Sequence, residues 1–281
     1  MFRLVHRLLD SQPGLPRRSR LGLLSLLIAT CAALAADMES TPRIFEVATW
    51  NIWGLPPPLA PGRSWRLPKI HQALRDSTYD VVGLQEVWKG SKHLMAGPRM
   101  LLPRNGADSG LAIYTPYDAT APVVRYFADG SGADSFKGKG ALITEVVVPE
   151  MGEMTFVASH LQAGRGKKAS RVRSQQVDEL LGWLEAVDGP VVLLGDFNLE
   201  LRNPVDHAAA ERMREAGFTD TAAATHHQED THRDGGRLDR ILVRGELYPC
   251  TVHIVKRPAL SDHHALVAKL GWGSPEQCSA E

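Results

Sequence analysis

The strand-length apolar runs of this chain finish, one after another, on acids, amides and imidazoles. EVATWN ends at Asn51, VVGLQE at Glu86, TFVASH at His160, and VLLGDFN at Asp196 and Asn198. Asp239 lies within RLDRILV, and Asp262-His263 stand just before HALVAKL. Short apolar runs bounded by turn formers are buried strands. The pattern therefore constrains the chain to a sheet protein whose polar groups gather where strands stop. Taken singly, each residue is explained by a solvated strand end, and Gly-Asp-Phe-Asn is turn-forming in its own right. Brought together on one rim, the same residues form a concave site rich in oxygen ligands and imidazole.

The remaining elements alternate with these runs. IFEVATWNI (44–52) is predicted as a strand, residues 66–76 as a helix, and residues 79–88 as a strand entering a turn. The clearest helix is 169–188, where Val177, Leu180, Leu181, Leu184 and Val187 recur at three-to-four spacing with charges between them. There is no internal repeat, and no Pro/Ser linker divides the set. A single α/β domain over residues 36–281 is the expectation, with the Pro-rich stretch 55–65 as a rim loop.

Residues 1–35 are expected to stand outside that domain. Five arginines precede the apolar run Leu21–Ala36, and Ala33-Leu34-Ala35 offers a small-x-small cleavage site. The run is short for a membrane span, so a signal peptide directing a secreted or periplasmic product is expected, with an uncleaved membrane anchor as the alternative. Five Arg and one Asp leave with the leader, so 32 basic and 32 acidic groups become 27 and 31. That balance lacks the basic surplus of a protein that lives by holding nucleic acid. The one basic cluster is Arg165, Lys167, Lys168, Arg171 and Arg173. Cys250 and Cys278 remain after export, as one bridge or as two inert thiols.

The residue types at the strand ends suit a hard divalent cation, bound partly through water, and a phosphate substrate. If the strand direction persisted past Gly195, Asp196 and Asn198 would point to one face. One offers anionic oxygens and the other both a donor and an acceptor. Imidazole titrates near neutral pH and is a natural proton acceptor.

In order along residues 44–271, TWNIWG, DVVGLQEVW, GLAIYT, SHLQ, LLGDFNL, RLDRIL and SDHHAL resemble the endonuclease/exonuclease/phosphatase superfamily. The resemblance implies an α/β (α+β) fold, a four-layer sandwich of two mixed β-sheets packed face to face with helices outside. It implies metal binding by Glu86, with Asn51 beside it and Asp262 as a companion acid. Asp196 and Asn198 match the pair that orients the phosphate, His263 the general base, Asp239 the carboxylate that orients it, and His160 a contact to a phosphate oxygen. The cofactor implied is Mg2+, with Mn2+ as the alternative.

Within that superfamily NIWGLP, EVW, KGKG and SDHHAL resemble the neutral sphingomyelinase-type phosphodiesterases. In that branch Lys139 and Arg173 match substrate-side positions. The implied substrate is a phospholipid such as sphingomyelin at a membrane surface. A nuclease of the same fold is the alternative, an inactive exported binding module is the second, and no protein partner is inferred. Tyr114 is expected to be structural. His226, His227 and His232 are expected to be solvated loop residues, and His264 to face away from the base. Trp53 and Trp65 either pack beneath the Pro-rich loop or meet a lipid or its ammonium group.

Overall fold

A computed structural model describes residues 43–279 apart from 96, 98, 104 and 105. Residues 1–35, expected to be a leader, lie outside the described residues. Arg43–Glu281 forms one compact unit, and among the described residues no helix is long and apolar enough to cross a membrane.

The strands are β1 (Ile44–Asn51), β2 (Val81–Gln85), β3 (Met100–Leu101), β4 (Ala112–Tyr114), β5 (Val123–Tyr126), β6 (Gly140–Val148), β7 (Gly152–His160), β8 (Val191–Asp196), β9 (Thr219–Asp220), β10 (Asp239–Arg244), β11 (Leu247–Val255) and β12 (Ala265–Trp272). They form two sheets of six, ordered β11-β12-β1-β2-β4-β3 and β5-β6-β7-β8-β10-β9. The helices are α1 (Arg63–Arg75), α2 (Lys92–Met95), α3 (Lys167–Leu184), α4 (Pro204–Glu215) and α5 (Thr221–Ala224).

Alternation along the central strands explains the layers. Val47, Val81 and Ile113 of the first sheet pack against Phe156, Ala158 and Leu194 of the second, forming the inter-sheet core. Residues on the opposite face of the first sheet, such as Ala48 and Val82, pack against Leu67, Ile70 and Leu74 of α1. On the far side, Val157 and Leu193 meet Val177, Leu180 and Leu184 of α3, with Met213 of α4. Helix, sheet, sheet and helix make the four-layer sandwich expected. The sheets approach closely at Gly83, where a Cβ would lie 2.6 Å from that of Leu194.

Strand direction sets the site. β1 and β2 run parallel, as do β7 and β8, so each pair ends together. β10 is antiparallel to β8 and β12 to β1, so each of them begins where its neighbour ends. Element bounds differ from the sequence reading by a few residues. Within 79–88, expected as a strand entering a turn, the strand stops at Gln85 and the turn begins at Glu86, in the left-handed region at φ 63°.

Candidate active site

Asn51 and Glu86 close the ends of β1 and β2. Gly54 permits the Glu86 turn, since a Cβ there would fall 2.1 Å from the Glu86 carbonyl oxygen. His160 and Asp196 end β7 and β8 in direct register, and Asp239 opens β10 opposite Asp196. His263 arrives just before β12, its amide taken by Ser261 Oγ at 3.2 Å and its carbonyl by Trp50 Nε1 at 3.1 Å. Ser261 Oγ in turn donates to the Asn51 carbonyl at 2.7 Å. Thr231 Oγ1 accepts from the amides of Leu238 and Asp239, each at 3.0 Å, which fixes the entry into β10.

The side chains meet across the gap between the sheets. Asn51 Nδ2 donates to Asp196 Oδ2 at 3.0 Å and lies 3.4 Å from Glu86 Oε1. His263 Nδ1 is 2.8 Å from Asp239 Oδ2, with the base on the first sheet and the carboxylate on the second. His263 Nε2 and His160 Nε2 lie 3.7 and 3.4 Å from Asp196 Oδ2. None of Asn51, His160, Asp196, Asp239 and His263 is more than 7% exposed.

Burial makes these charges consequential. It works against the imidazolium of His263, yet Asp239, Asp196, the hydrogen bond to Asp239 and Asp262 together lift that residue to about 10. His160 goes the other way, to about 3, because burial and the neighbouring Lys139 outweigh Asp196 and Asp134. It is therefore neutral. Burial also raises Glu86, against the pull of Lys139 and Lys137.

The donor set fits a divalent cation at Glu86. Glu86 Oε2 is buried and has no hydrogen-bond partner, a costly state for a carboxylate oxygen and one that an oxygen-seeking cation relieves. Asp196, Asp239 and His263 also bring ligand atoms within 4.8 Å of one another, but their contacts are those of a hydrogen-bonded base and its orienting carboxylate. Asp262, on the segment leading to His263, accepts from Ser261 Oγ at 3.4 Å and adds to the negative field on the base.

The remaining residues fall elsewhere. Asn198 does not continue the strand: its backbone is left-handed (φ 52°), and its amide donates to Asp196 Oδ1 at 3.1 Å in a tight turn. Its side-chain Nδ2 reaches the Leu161 carbonyl at 3.5 Å. Arg173, expected at the substrate, is a structural residue. Its Nε and Nη2 grip both oxygens of Asp206 at 3.0 and 2.8 Å. Its other N–H groups go to the carbonyls of Gln162 and Gly164 and to Ser170 Oγ. A guanidinium has five N–H donors, so none is left for a phosphate. With Gln176, which accepts from the Gln162 amide at 2.7 Å, Arg173 clamps the segment that follows His160. Lys139 is also held internally, 2.8 Å from Asp134 Oδ2 and 2.7 Å from the Leu161 carbonyl, and reaches Asp196 and Glu86 through its charge.

Two aromatic readings change. The guanidinium groups of Arg66 and Arg233 stand 4.9 and 5.5 Å from the centre of the Trp53 ring, so it already carries its cations. His232 is no solvated loop residue. It forms a β-bridge with His263, and its ring stands edge to face against the base at 4.7 Å. The hint in the sequence was its place in THRDGGRLD, where Gly235-Gly236 turns the chain straight back into Asp239. Tyr114 is buried in β4, as a structural residue would be. Cys250 and Cys278 form a disulfide.

A helix-flanked pair of sheets whose shared rim gathers Asn51, Glu86, His160, Asp196, Asp239 and His263 defines an α/β sandwich with one site built jointly by both sheets. The chain belongs to the endonuclease/exonuclease/phosphatase family, whose model matches residues 48–263. It is 25% identical over 268 residues to a Drosophila melanogaster protein named "Putative neutral sphingomyelinase", covering 80% of this chain and 60% of that one. Sphingomyelinase C from Streptomyces griseocarneus superposes with a TM-score of 0.61 at 20% identity, over 82% of this chain and 99% of that one. D. rerio TDP2 complexed with a single-strand DNA product superposes with a TM-score of 0.67 at 17% identity, over 81% and 98%. The chain spans less than two thirds of the length of its Drosophila relative.

Proposed function

We propose that this chain is a divalent-metal-dependent phosphodiesterase acting on a phospholipid such as sphingomyelin. The observation that carries the reaction type is the cross-sheet pair of Asp239 and His263 beside the unpartnered Glu86 oxygen. His263 Nε2 takes the proton of the attacking water while Asp239 steadies the imidazolium through Nδ1. Asn51 and Asp196 orient the reacting oxygens, and neutral His160 donates toward the phosphate as negative charge builds. Mg2+ (or Mn2+ in its place) on Glu86 beside Asn51 would supply positive charge to the phosphate and the departing alkoxide and lower the proton affinity of His263.

The lipid substrate is supported by the name of the Drosophila relative and by two exposed aromatic side chains, Phe136 in the turn leading into β6 and Trp65 in α1. A nucleic-acid substrate is the second reading. It is favoured by a groove of about 670 Å3 that runs from Asn198 and His232 past Arg165, Arg202 and Arg237. Residues 1–35 act in this reading as an export signal, and the disulfide between Cys250 and Cys278 is of a kind that persists in oxidising compartments.

The test incubates purified protein and Mg2+ with sphingomyelin vesicles and with supercoiled plasmid in parallel, with EDTA and His263→Ala controls. Lipid turnover that EDTA and the variant both abolish is the expected result. Plasmid nicking without lipid turnover would transfer the assignment to the nuclease. Sequencing the N-terminus of protein recovered outside the cytoplasm checks export.

A further inference from the structure

Phe136 is 93% exposed, the most exposed of the large apolar side chains described. It ends the short turn Gly132–Phe136 and sits just ahead of Lys137. That turn leads into β6, whose first residues lie at the catalytic rim, with Ala141 opposite Ser159 next to His160. Lys137 is close enough for its charge to act on both Glu86 and His160.

A strip of contacts through Trp88, itself only 7% exposed, joins this turn to a second exposed aromatic residue. Lys137 Nζ lies 5.0 Å from the centre of the Trp88 ring. Two residues on, Gly90 faces the Arg63 guanidinium, whose Nη1 would lie 3.2 Å from a Cβ at that position. Arg63 opens α1, and Trp65 in the same turn is 48% exposed, with Lys69 Nζ 5.1 Å from its ring centre. The strip borders the Glu86 side of the site. It presents two aromatic rings with Lys69, Lys89 and Lys137 among them.

We propose that this strip is the edge by which the protein docks on a phospholipid surface. Phe136 and Trp65 enter the boundary between headgroups and acyl chains, and Lys69 and Lys89 meet lipid phosphates, Lys137 being already paired with Asp134 at 3.3 Å. Aromatic rings set among basic side chains match that boundary, which is apolar below and anionic above. A site that must reach a headgroup phosphate is also served by anchors on its own rim. The proposal deepens the lipid reading of the substrate and rests on it.

The experiment measures flotation of the intact protein with vesicles of phosphatidylcholine, sphingomyelin and one-fifth phosphatidylserine. Wild type, Phe136→Ala, Trp65→Ala and the double variant are compared, alongside hydrolysis of vesicle sphingomyelin and of a soluble bis(aryl) phosphate. Phe136 stands in solvent, while Trp65 is 48% exposed and rests on Gly62, so the melting temperature of each variant is measured alongside. Each Ala variant should lower vesicle partition about tenfold and the pair about a hundredfold. Vesicle turnover should fall in parallel and soluble-ester hydrolysis should hold. A Phe136→Trp variant placed on lipids with brominated acyl chains should show added quenching relative to wild type.

Partition and vesicle turnover within twofold of wild type in the double variant would overturn the docking edge while leaving the lipid-hydrolase reading standing. Loss of soluble-ester hydrolysis along with vesicle turnover would also overturn it, since the residues would then serve the catalytic site itself. Vesicle binding that depends on Phe136 and Trp65, with no lipid turnover in any variant, would support the edge and sink the hydrolase reading.

Discussion

Two buried charged clusters lie side by side in this molecule, and they are finished to different degrees. Around Arg173 and Asp206 each guanidinium N–H has an acceptor, and Asp206 Oδ2 takes the Glu200 amide as well. At the rim, Glu86 Oε2, His160 Nδ1 and Asp239 Oδ1 are buried with no partner. A closed network holds the chain in place. An open one keeps polar atoms available for something that has yet to arrive, and carries the cost of their desolvation meanwhile.

The sharpest test of this contrast is His263→Ala, which should lower kcat on a soluble phosphodiester by about 10³-fold, within the range for loss of a general base. Its melting temperature should fall too, since the stability that His263 gains from Asp239 is lost, but the loss of kcat should be the dominant effect. A large loss of stability with little loss of kcat would erase the distinction between the clusters.

Arg173→Met should do the reverse. Leaving Asp206 charged and unpaired should cost about 3–5 kcal/mol of stability in denaturant unfolding, with kcat per folded molecule retained. Adding Asp206→Leu should return much of that loss, because the double variant removes both charges together.

Glu86→Gln should weaken Mg2+ half-saturation by roughly tenfold to a hundredfold, read by calorimetric titration. Unchanged metal affinity would mean the open oxygen does not hold the ion.

The smallest effect concerns pH in metal-free protein. Folded His263 sits at about 10, above the roughly 6.5 of an unfolded histidine. Its contribution to stability is therefore complete below about pH 6.5 and drains away as pH rises toward 10. Between pH 7 and 9 the melting temperature should fall by roughly 5 °C, and His263→Ala should flatten that slope.

The sandwich was legible because strand-length apolar runs, amphipathic helices and turn formers leave local marks. The rim was legible for the same reason: Asn51, Glu86, His160 and Asp196 sit where those runs stop. What stayed hidden depends on partners far along the chain. Arg173 carries the same residue type in a closed cluster as it would in a substrate site, and only Asp206, 33 positions away, decides between them. His232 needed the return turn at Gly235-Gly236 to be seen as a neighbour of the base. Asn198 needed its left-handed backbone to show that the strand had already ended. The disulfide needed the fold to bring its two cysteines together.

The bond between His263 and Asp239 spans the seam between the two halves of the sandwich. A slip of one layer over the other by a single ångström would part the proton acceptor from its partner and leave every strand intact. Turnover is therefore a strain gauge for the interior: bulk added at Gly83 or Ala158, buried between the sheets, should register in reaction rate well before the fold gives way.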